Sequence, residues 1–377
     1  MTVEIHGFCD ERFLPLKDAF VANFDAGLEL GASLALTLQG KTVIDLWAGW
    51  ADLARTRPWM RDTIVLVAST TKLTTAFSAL MLIDRGLVDL DAPVARYWPE
   101  FAQGGKGGVT VRHALSHRGG VPGLDPPVGP ETARDWAAMT AHLAAEPHWF
   151  GGRPQVAYHW GTFGYLLGEV IRRVDGRGPR QFFEEEIARP LGCDFHVGLT
   201  DKADLSRLAE VQWGEAAPPP PDANPIALKI VASVPLPVET TWESLSNEDG
   251  TGNGFANARS IARLGLIVAL GGEVDGVRYL SREILAEACR EQVFDTCPYA
   301  GPMSLGLGLG RFNPEAFPVL TPDTVGWGGL GGSNAFMVRD AGVTFGYAPN
   351  NFILEASPVG VRQLPLIHAL GQALPTM

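Results

Sequence analysis

Ser69 and Lys72 are the residues of this sequence whose types and spacing best fit nucleophilic catalysis. Ser69 is the only serine followed by a lysine three positions later. Residues three apart on a helix share a face, so a neutral Lys72 amine can accept the proton of the Ser69 hydroxyl. In a first helical turn the Ser69 amide would also stabilise an oxyanion, because amides there are unpaired and the dipole is positive. The structural alternative is an N-cap serine followed by a solvated lysine.

The residues around this pair favour the catalytic interpretation. An apolar extended run precedes it at 63–68, and the helix that follows carries an apolar stripe that ends at Gly86. A lysine at the start of a helix meets an unfavourable dipole, and burial also disfavours its ammonium form. We therefore expect the pKa of Lys72 to be lowered.

Patterns of strands and helices indicate how the rest of the chain positions this pair. Turn residues separate two β-rich runs near each end, which predicts two hairpins, at 32–38 with 42–47 and at 334–339 with 343–347. Helical patterns lie between the hairpins, at 133–145, 162–174, 179–187 and 257–270. The sequence thus predicts an α+β fold with two domains. Residues 1–85 and 275–377 form an α/β domain with a central antiparallel sheet, and residues 86–274 form a mostly helical domain whose loops line a cleft.

Composition narrows the possible partners. The chain has 377 residues, 46% of them hydrophobic and 19% charged, with a formal net charge of −12. Without a basic cluster, this charge argues against nucleic acid or an anionic membrane surface, and no apolar stretch reaches spanning length. The first twenty residues carry acids and no apolar core, so we expect a cytoplasmic protein. The four cysteines lack metal-ligand spacing and are interpreted as free thiols, with a disulfide between Cys289 and Cys297 as the alternative.

Two further patterns resemble functional motifs but lack residues that those motifs require. Ser333 lies in a sequence like the G-x-S-x-G elbow, but alanine replaces the last glycine and a strand follows. His113 and His117 have a spacing that binds metal on a helix, yet no third ligand is evident. We expect neither a nucleophile at Ser333 nor a metal site.

Several motifs together resemble the serine β-lactamase and penicillin-binding-protein superfamily, most closely its class C β-lactamase-like carboxylesterases, the family VIII esterases. Beside the serine and lysine, the motifs are Asp45-Leu46-Trp47, Asp89-Leu90-Asp91-Ala92-Pro93-Val94, Tyr97-Trp98-Pro99-Glu100-Phe101 and the run from Thr110 to His117. The resemblance covers about 31–347 and implies an α/β domain, a helical domain and an active site between them.

The resemblance also implies a second catalytic motif. Tyr158 matches the tyrosine that the family places on a loop of the helical domain, where it shares the serine proton with the lysine. The sequence leaves open whether Lys72 or Tyr158 is the main base. β-Lactamases have asparagine two residues after this tyrosine, whereas this chain has Trp160. An amide that would orient a β-lactam is therefore missing.

The third family motif, Lys-Thr/Ser-Gly on a strand, is matched by Trp327, Gly328 and Gly329, without the cation. The loss removes a contact to a substrate carboxylate and costs a neutral ester nothing. The resemblance implies that the amide of the next residue, Leu330, pairs with the Ser69 amide as the oxyanion hole. The glycines would let the backbone approach a ligand. Trp160 and Trp327 would wall the substrate pocket.

The sequence thus predicts a serine carboxylesterase that hydrolyses short-chain esters through an acyl-enzyme intermediate, with weak β-lactam hydrolysis as a side activity. The alternatives are a β-lactamase or D,D-peptidase, an acyltransferase that uses the same Ser69 intermediate, and a catalytically silent binding module. A small-molecule ester is the expected partner. No cofactor or metal is implied, because the chain supplies the nucleophile, the bases and the oxyanion donors.

Overall fold

Hairpins from the two ends of the chain meet in one antiparallel sheet. The structure is a computed structural model that describes residues 3–215, 218, 221–236, 238–312, 321, 323–354 and 360–374. Its strands are β1 Ile5–Cys9, β2 Gly31–Leu38, β3 Lys41–Gly49, β4 Val65–Leu66, β5 Phe195–Val197, β6 Gln212–Trp213, β7 Gly254–Ala256, β8 Glu273–Val274, β9 Val277–Arg278, β10 Val293–Cys297, β11 Gly301–Leu305, β12 Gly310–Arg311, β13 Thr324–Gly328, β14 Asn334–Val338, β15 Val343–Pro349 and β16 Asn351–Phe352.

Helices make up most of the remaining structure in the described ranges. The α-helices are α1 Leu14–Asp25, α2 Lys72–Asp84, α3 Val111–Leu115, α4 Pro130–Arg134, α5 Trp136–Ala145, α6 Phe163–Asp175, α7 Pro179–Phe183, α8 Arg189–Leu191, α9 Pro225–Ala232, α10 Trp242–Leu245, α11 Ala258–Ala269, α12 Arg282–Cys289 and α13 Gln363–Ala373. Short 3-10 helices cover Glu11–Phe13, Ala68–Thr71, Val94–Arg96, Pro99–Ala102 and Lys202–Ser206, and a π-helix covers Glu184–Ala188. No helix of the described ranges is both long and apolar enough to cross a membrane.

The large sheet has nine strands in the order β1-β3-β2-β15-β14-β13-β12-β11-β10, all antiparallel to their neighbours. The two predicted hairpins are confirmed as β2–β3 and β14–β15, and β2 pairs with β15 to join them. Their short polar turns and apolar strands favour this pairing, because the strands bury both faces. The predicted α+β fold is confirmed.

Helices cover both faces of the sheet. On one face, side chains of α1 and α13 share a core with β2, β3, β14 and β15. On the other face α11 lies across β2, β14 and β15, where Gly346 lets the helix backbone approach the strand closely. A Cβ at Gly346 would lie 2.1 Å from the Ala258 carbonyl oxygen.

Two helices pack against elements on the other side of a predicted domain boundary. Helix α11 falls in the predicted helical segment 86–274, yet it packs on the sheet because its apolar stripe matches the sheet face. Helix α2 falls in the predicted α/β segment 1–85, yet it packs against α6, α7 and α12. The division into two domains stays a prediction.

Two predicted helices are interrupted. The helix predicted at 133–145 is broken at Asp135, whose extended backbone and side chain cap α5 by accepting a hydrogen bond from the Ala138 amide. The helix predicted at 179–187 is α-helical only to Phe183 and continues as the π-helix Glu184–Ala188. Hydrophobic periodicity reports the buried face and does not detect such local changes in winding.

Candidate active site

Ser69 lies in a tight turn between a short strand and a helix. Strand β4 leads into the 3-10 helix Ala68–Thr71, and α2 begins at Lys72. Ala68 has a φ of +43°, a conformation that costs energy for a residue with a side chain. Within residues 63–82, Ser69 is the single residue that is not buried. The turn therefore presents one hydroxyl from an otherwise buried segment.

Lys72 is fully buried beside this hydroxyl. Its Nζ lies 3.1 Å from Ser69 Oγ and donates to the backbone carbonyls of Trp160 and Thr251, each at 3.2 Å. Burial lowers the pKa of Lys72 to about 7, and the nearby negative charge of Asp249 opposes part of that shift. Near neutral pH, a substantial fraction of the amine is therefore uncharged and basic.

Tyr158 contacts Ser69 from the other side. Its hydroxyl donates to Ser69 Oγ at 2.7 Å, and its ring centroid lies 4.8 Å from Lys72 Nζ. Burial raises the pKa of Tyr158 to about 12, although its hydrogen bond to Ser69 acts in the opposite direction. Its backbone amide donates to the Cys297 thiol sulfur at 3.2 Å. The structure thus brings Ser69, Lys72 and Tyr158 together, with the phenol protonated.

The turn after β13 packs directly on the serine turn. A Cβ at Gly329 would lie 2.2 Å from the Val67 carbonyl oxygen and 2.3 Å from Ser333 Oγ. Ser333 Oγ donates to that same carbonyl at 2.7 Å and lies 2.9 Å from Thr70 Oγ1. The absence of a side chain at Gly329 therefore lets the segment that carries Ser69 approach closely, and the approach of a ligand to these glycines stays a prediction. The buried Ser333 side chain thus connects the turn after β13 to the serine turn by hydrogen bonds.

A cavity of about 590 Å³ opens above Ser69 and has a largely apolar lining. Of the residues predicted for the site, all but the buried Lys72 line it: Ser69, Tyr158, Trp160, Trp327, Gly328, Gly329 and Leu330. Among the described residues of the lining, Arg311 is the one with a charged side chain, and its guanidinium donates to the Cys289 carbonyl. The volume lies within the range of small-molecule pockets.

The opposite wall of this cavity comes from the β10–β11 hairpin, which the sequence analysis did not identify. The hairpin contributes Phe294, Tyr299 and Met303 to the lining. Tyr299 stacks on Tyr158 at 6.0 Å between ring centroids and meets Trp160 edge to face at 5.2 Å. The alternation of large apolar residues over 293–305 could have predicted the hairpin. Nothing in the neighbouring sequence indicates that this hairpin lies close to Ser69.

Two buried histidines lie behind the site. The His117 ring stacks on Trp327, with centroids 5.2 Å apart, and lies 5.1 Å from the Tyr158 ring. Burial lowers the pKa of His117 well below its usual value and that of His159 to about 4. Both rings are therefore neutral packing groups at neutral pH. The described residues contain no cluster that could hold a metal ion.

Comparison with known proteins relates this geometry to one family. The chain matches the Beta-lactamase family over residues 19–364. It is 34% identical over 371 residues to Esterase/beta-lactamase LipL of Mycobacterium tuberculosis, covering 93% of this chain and 83% of that protein.

Solved structures agree with this assignment. A penicillin-binding protein homologue from Caulobacter crescentus superposes with a TM-score of 0.91 at 36% identity, covering 98% of this chain and all of that one. A family VIII carboxylesterase superposes with a TM-score of 0.89, also at 36% identity and over 98% of this chain. The predicted resemblance is confirmed, and the chain belongs to the Beta-lactamase family.

Proposed function

We propose that this protein is a serine carboxylesterase that hydrolyses small neutral esters through an acyl-enzyme intermediate on Ser69. The observation that carries the proposal is the Ser69 hydroxyl, which contacts both Lys72 Nζ and Tyr158 OH at the floor of an apolar cavity. Ser69 Oγ attacks the ester carbonyl carbon, and the alcohol leaves with a proton. Water then cleaves the acyl-enzyme to release the acid and restore the serine.

Lys72 is the proposed base for acylation. A neutral amine has two protons and one lone pair, and the Trp160 and Thr251 carbonyls accept two hydrogen bonds from it. The lone pair is then left to face Ser69 Oγ at 3.1 Å. Its lowered pKa supports this protonation state near neutral pH. The amine accepts the serine proton during attack and can return it to the leaving alcohol.

Tyr158 is proposed as a protonated partner of the same oxygen. With a pKa of about 12 it donates to Ser69 Oγ and does not act as a phenolate at neutral pH. It would orient the nucleophile in the free enzyme. As the tetrahedral intermediate collapses, it would give its proton to the leaving oxygen and regain one from the Lys72 ammonium, so that the proton taken from Ser69 leaves with the alcohol. This assignment favours Lys72 as the main base, the choice that the sequence left open.

The backbone amides of Ser69 and Leu330 are proposed as the oxyanion hole. Both residues line the cavity. The Leu330 amide has no hydrogen-bond acceptor within the described part of the chain, so it is available to a ligand. Two such donors stabilise the negative charge that develops on the carbonyl oxygen during attack.

The lining of the cavity supports a neutral substrate. Trp160, Trp327, Gly328 and Gly329 are proposed substrate contacts, and none of them offers a positive charge to a carboxylate. The similar proteins support the same reaction class, because their names include an esterase/beta-lactamase and a family VIII carboxylesterase. The first of these names also supports weak β-lactam hydrolysis as a second activity.

We also propose that the enzyme works in the cytoplasm. Cys9, Cys193, Cys289 and Cys297 are all free thiols, as is usual in a reducing compartment. Measurement of the protein in separated cell fractions tests this proposal.

The proposed function is tested by a burst-phase assay with p-nitrophenyl acetate and butyrate, together with intact-mass detection of the acyl adduct. We expect an adduct on wild type and none on Ser69→Ala, with hydrolysis abolished and thermal stability nearly unchanged. Ser304→Ala is the matched control, because Ser304 lines the same cavity but donates to Glu291. Nitrocefin run in parallel measures β-lactam hydrolysis. Full esterase activity in Ser69→Ala would refute the mechanism, and absence of any adduct on wild type would favour a silent binding module.

A further inference from the structure

The proposed oxyanion donor Leu330 lies in a four-residue turn, 329–332. The Gly332 amide donates to the Gly329 carbonyl at 3.0 Å and closes the turn. Gly331 has a φ of +83°, which a type II turn requires at its third position. The peptide bond is trans and planar, so the Leu330 N–H points opposite to the Gly329 carbonyl and out of the turn. The direction of this N–H is thus set by how the turn is held.

Two side chains at the start of α13 hold the turn from behind. Arg362 Nη1 donates to the Gly331 carbonyl at 3.0 Å, and Gln363 Nε2 donates to the Gly332 carbonyl at 2.6 Å. Arg362 is 1% exposed and Gln363 is 2% exposed. The Arg362 bond is buried and the Gln363 bond is partly buried, so the loss of either bond leaves a carbonyl with little access to water.

The Arg362 guanidinium is itself fixed on every side. Its Nη2 donates to the Leu28 and Asn351 carbonyls at 3.2 and 2.6 Å, and its Nε lies 3.2 Å from the buried Glu29 carboxylate. The Gln363 side-chain oxygen accepts a hydrogen bond from the Gly360 amide. Because these contacts fix the positions of both side chains, the carbonyls of Gly331 and Gly332 have little freedom to rotate.

We propose that Arg362 and Gln363 are positioning residues that aim the Leu330 amide at the reacting carbonyl oxygen. The inference rests on the proposed function, because it assigns the oxyanion role to Leu330. Arg362 does not line the cavity, so its effect on catalysis must pass through the turn. Gln363 does line the cavity, but its amide nitrogen is engaged by Gly332. Neither residue transfers a proton or contacts the scissile bond.

The test compares Arg362→Lys and Gln363→Met with wild type. Lysine keeps the positive charge near Glu29 but lacks the forked donors, and methionine has a similar length without a donor. Three quantities are measured: the acylation rate with p-nitrophenyl butyrate, the affinity for an arylboronic acid, and ester affinity in a Ser69→Ala background. The boronic acid forms a tetrahedral adduct on serine whose oxygen occupies the oxyanion site, so its affinity reports how well that site is formed.

We expect the acylation rate and the boronic acid affinity to fall together by about 10- to 100-fold, with ester affinity within about twofold of wild type. Asn23→Ala is the matched control, because Asn23 holds the Arg362 backbone carbonyl at 3.1 Å and does not contact the turn. Asn23→Ala should lower the melting temperature and leave the acylation rate and the boronic acid affinity within about twofold of wild type. If Arg362→Lys does not fold, Gln363→Met still decides, because it removes no charge and only the two hydrogen bonds to the Gly332 carbonyl and from the Gly360 amide.

The outcomes separate this proposal from the proposed function. Suppose that wild type is acylated and that Gln363→Met has the same acylation rate and the same boronic acid affinity as wild type. This result would overturn the positioning role alone. A loss that appears equally in ester affinity would also overturn it, because the residues would then bind the ground state. Absence of acylation in wild type would overturn both proposals.

Discussion

Burial changes the chemistry of Lys72. An ordinary lysine is a strong base that is protonated at neutral pH, and therefore a poor proton acceptor. In this protein desolvation lowers its pKa to about 7, and the chain places two carbonyls and the Ser69 hydroxyl around the amine. The same burial raises the pKa of Tyr158 to about 12. One environment thus favours the neutral form of both groups, which leaves one acceptor and one donor on Ser69.

Tyr158→Phe removes the donor and keeps the ring. We expect kcat for ester hydrolysis to fall by more than tenfold, because Ser69 Oγ loses its 2.7 Å hydrogen bond and the leaving oxygen loses a proton source. Tyr299→Phe is the control, because Tyr299 stacks on Tyr158 and is not hydrogen-bonded to Ser69. Steady-state kinetics measure both variants. Activity of Tyr158→Phe within about twofold of wild type would remove the phenol from the mechanism.

The pH dependence of the reaction should report Lys72. Because the neutral amine is the proposed base, kcat/KM should rise with pH and level off above a pKa of about 7. Asp249 raises the pKa of Lys72, so Asp249→Asn should move this limb to lower pH. Asparagine retains a side-chain oxygen that can accept the hydrogen bonds from the backbone amides of Thr251, Gly252 and Asn253, so the loop should keep its conformation.

Glu248→Gln is the matched control for that shift. It neutralises the neighbouring carboxylate, which accepts from the Arg180 amide and contacts the Arg180 guanidinium. The pH profile of kcat/KM should stay at the wild-type position in this variant. An acid limb that does not move in Asp249→Asn, or that moves to higher pH, would contradict the assignment of Lys72 as the titrating base.

At the scale of elements, the site depends on contact between β13 and the serine turn. Gly329→Ala would place a Cβ 2.2 Å from the Val67 carbonyl oxygen, which belongs to the backbone and cannot move aside cheaply. We expect the turn with Leu330 to shift away from Ser69 and kcat/KM to fall by at least tenfold, with a lower melting temperature. Kinetics well below the melting temperature separate the two effects.

Gly108→Ala serves as the control for this substitution, because a Cβ at Gly108 would meet no atom within 4 Å. Its activity and melting temperature should remain close to wild type. Wild-type kcat/KM in Gly329→Ala would show that the approach of the two segments does not control catalysis.

At the scale of the whole molecule, charge should select the substrate. The chain has a formal net charge of −12. In the described cavity lining the charged side chain is that of Arg311, which donates a hydrogen bond to the Cys289 carbonyl. We expect kcat/KM for the mono-p-nitrophenyl ester of succinate to be at least tenfold lower than for p-nitrophenyl butyrate. The reason is repulsion at long range by the net negative charge and the cost of moving a carboxylate from water into a largely apolar cavity.

Measurements at low and high salt separate these two causes. Added salt should recover part of the difference, because it screens exposed charges, and the remainder belongs to the buried lining. Equal kcat/KM for the two esters at low salt would contradict this account of substrate selection.

The sequence by itself determined the parts of this protein that depend on neighbours along the chain. The spacing of Ser69 and Lys72 follows from one helical turn, and the two hairpins follow from alternation and turn residues. The family motifs added Tyr158, which the structure places 2.7 Å from Ser69 although 89 residues separate them. Family membership and the α+β fold could therefore be predicted.

Only the tertiary structure decided which distant segments complete the site. The Thr251 carbonyl reaches Lys72 across 179 residues, and Arg362 holds the Gly331 carbonyl from a helix near the other end of the chain. The wall that contains Tyr299 joins the cavity because β10 and β11 form the edge of the nine-stranded sheet. These contacts involve backbone carbonyls or packing faces, which leave no pattern in residue type. The lowered pKa of Lys72 depends on its actual burial, and burial of a charged group is set by the packing of the whole molecule.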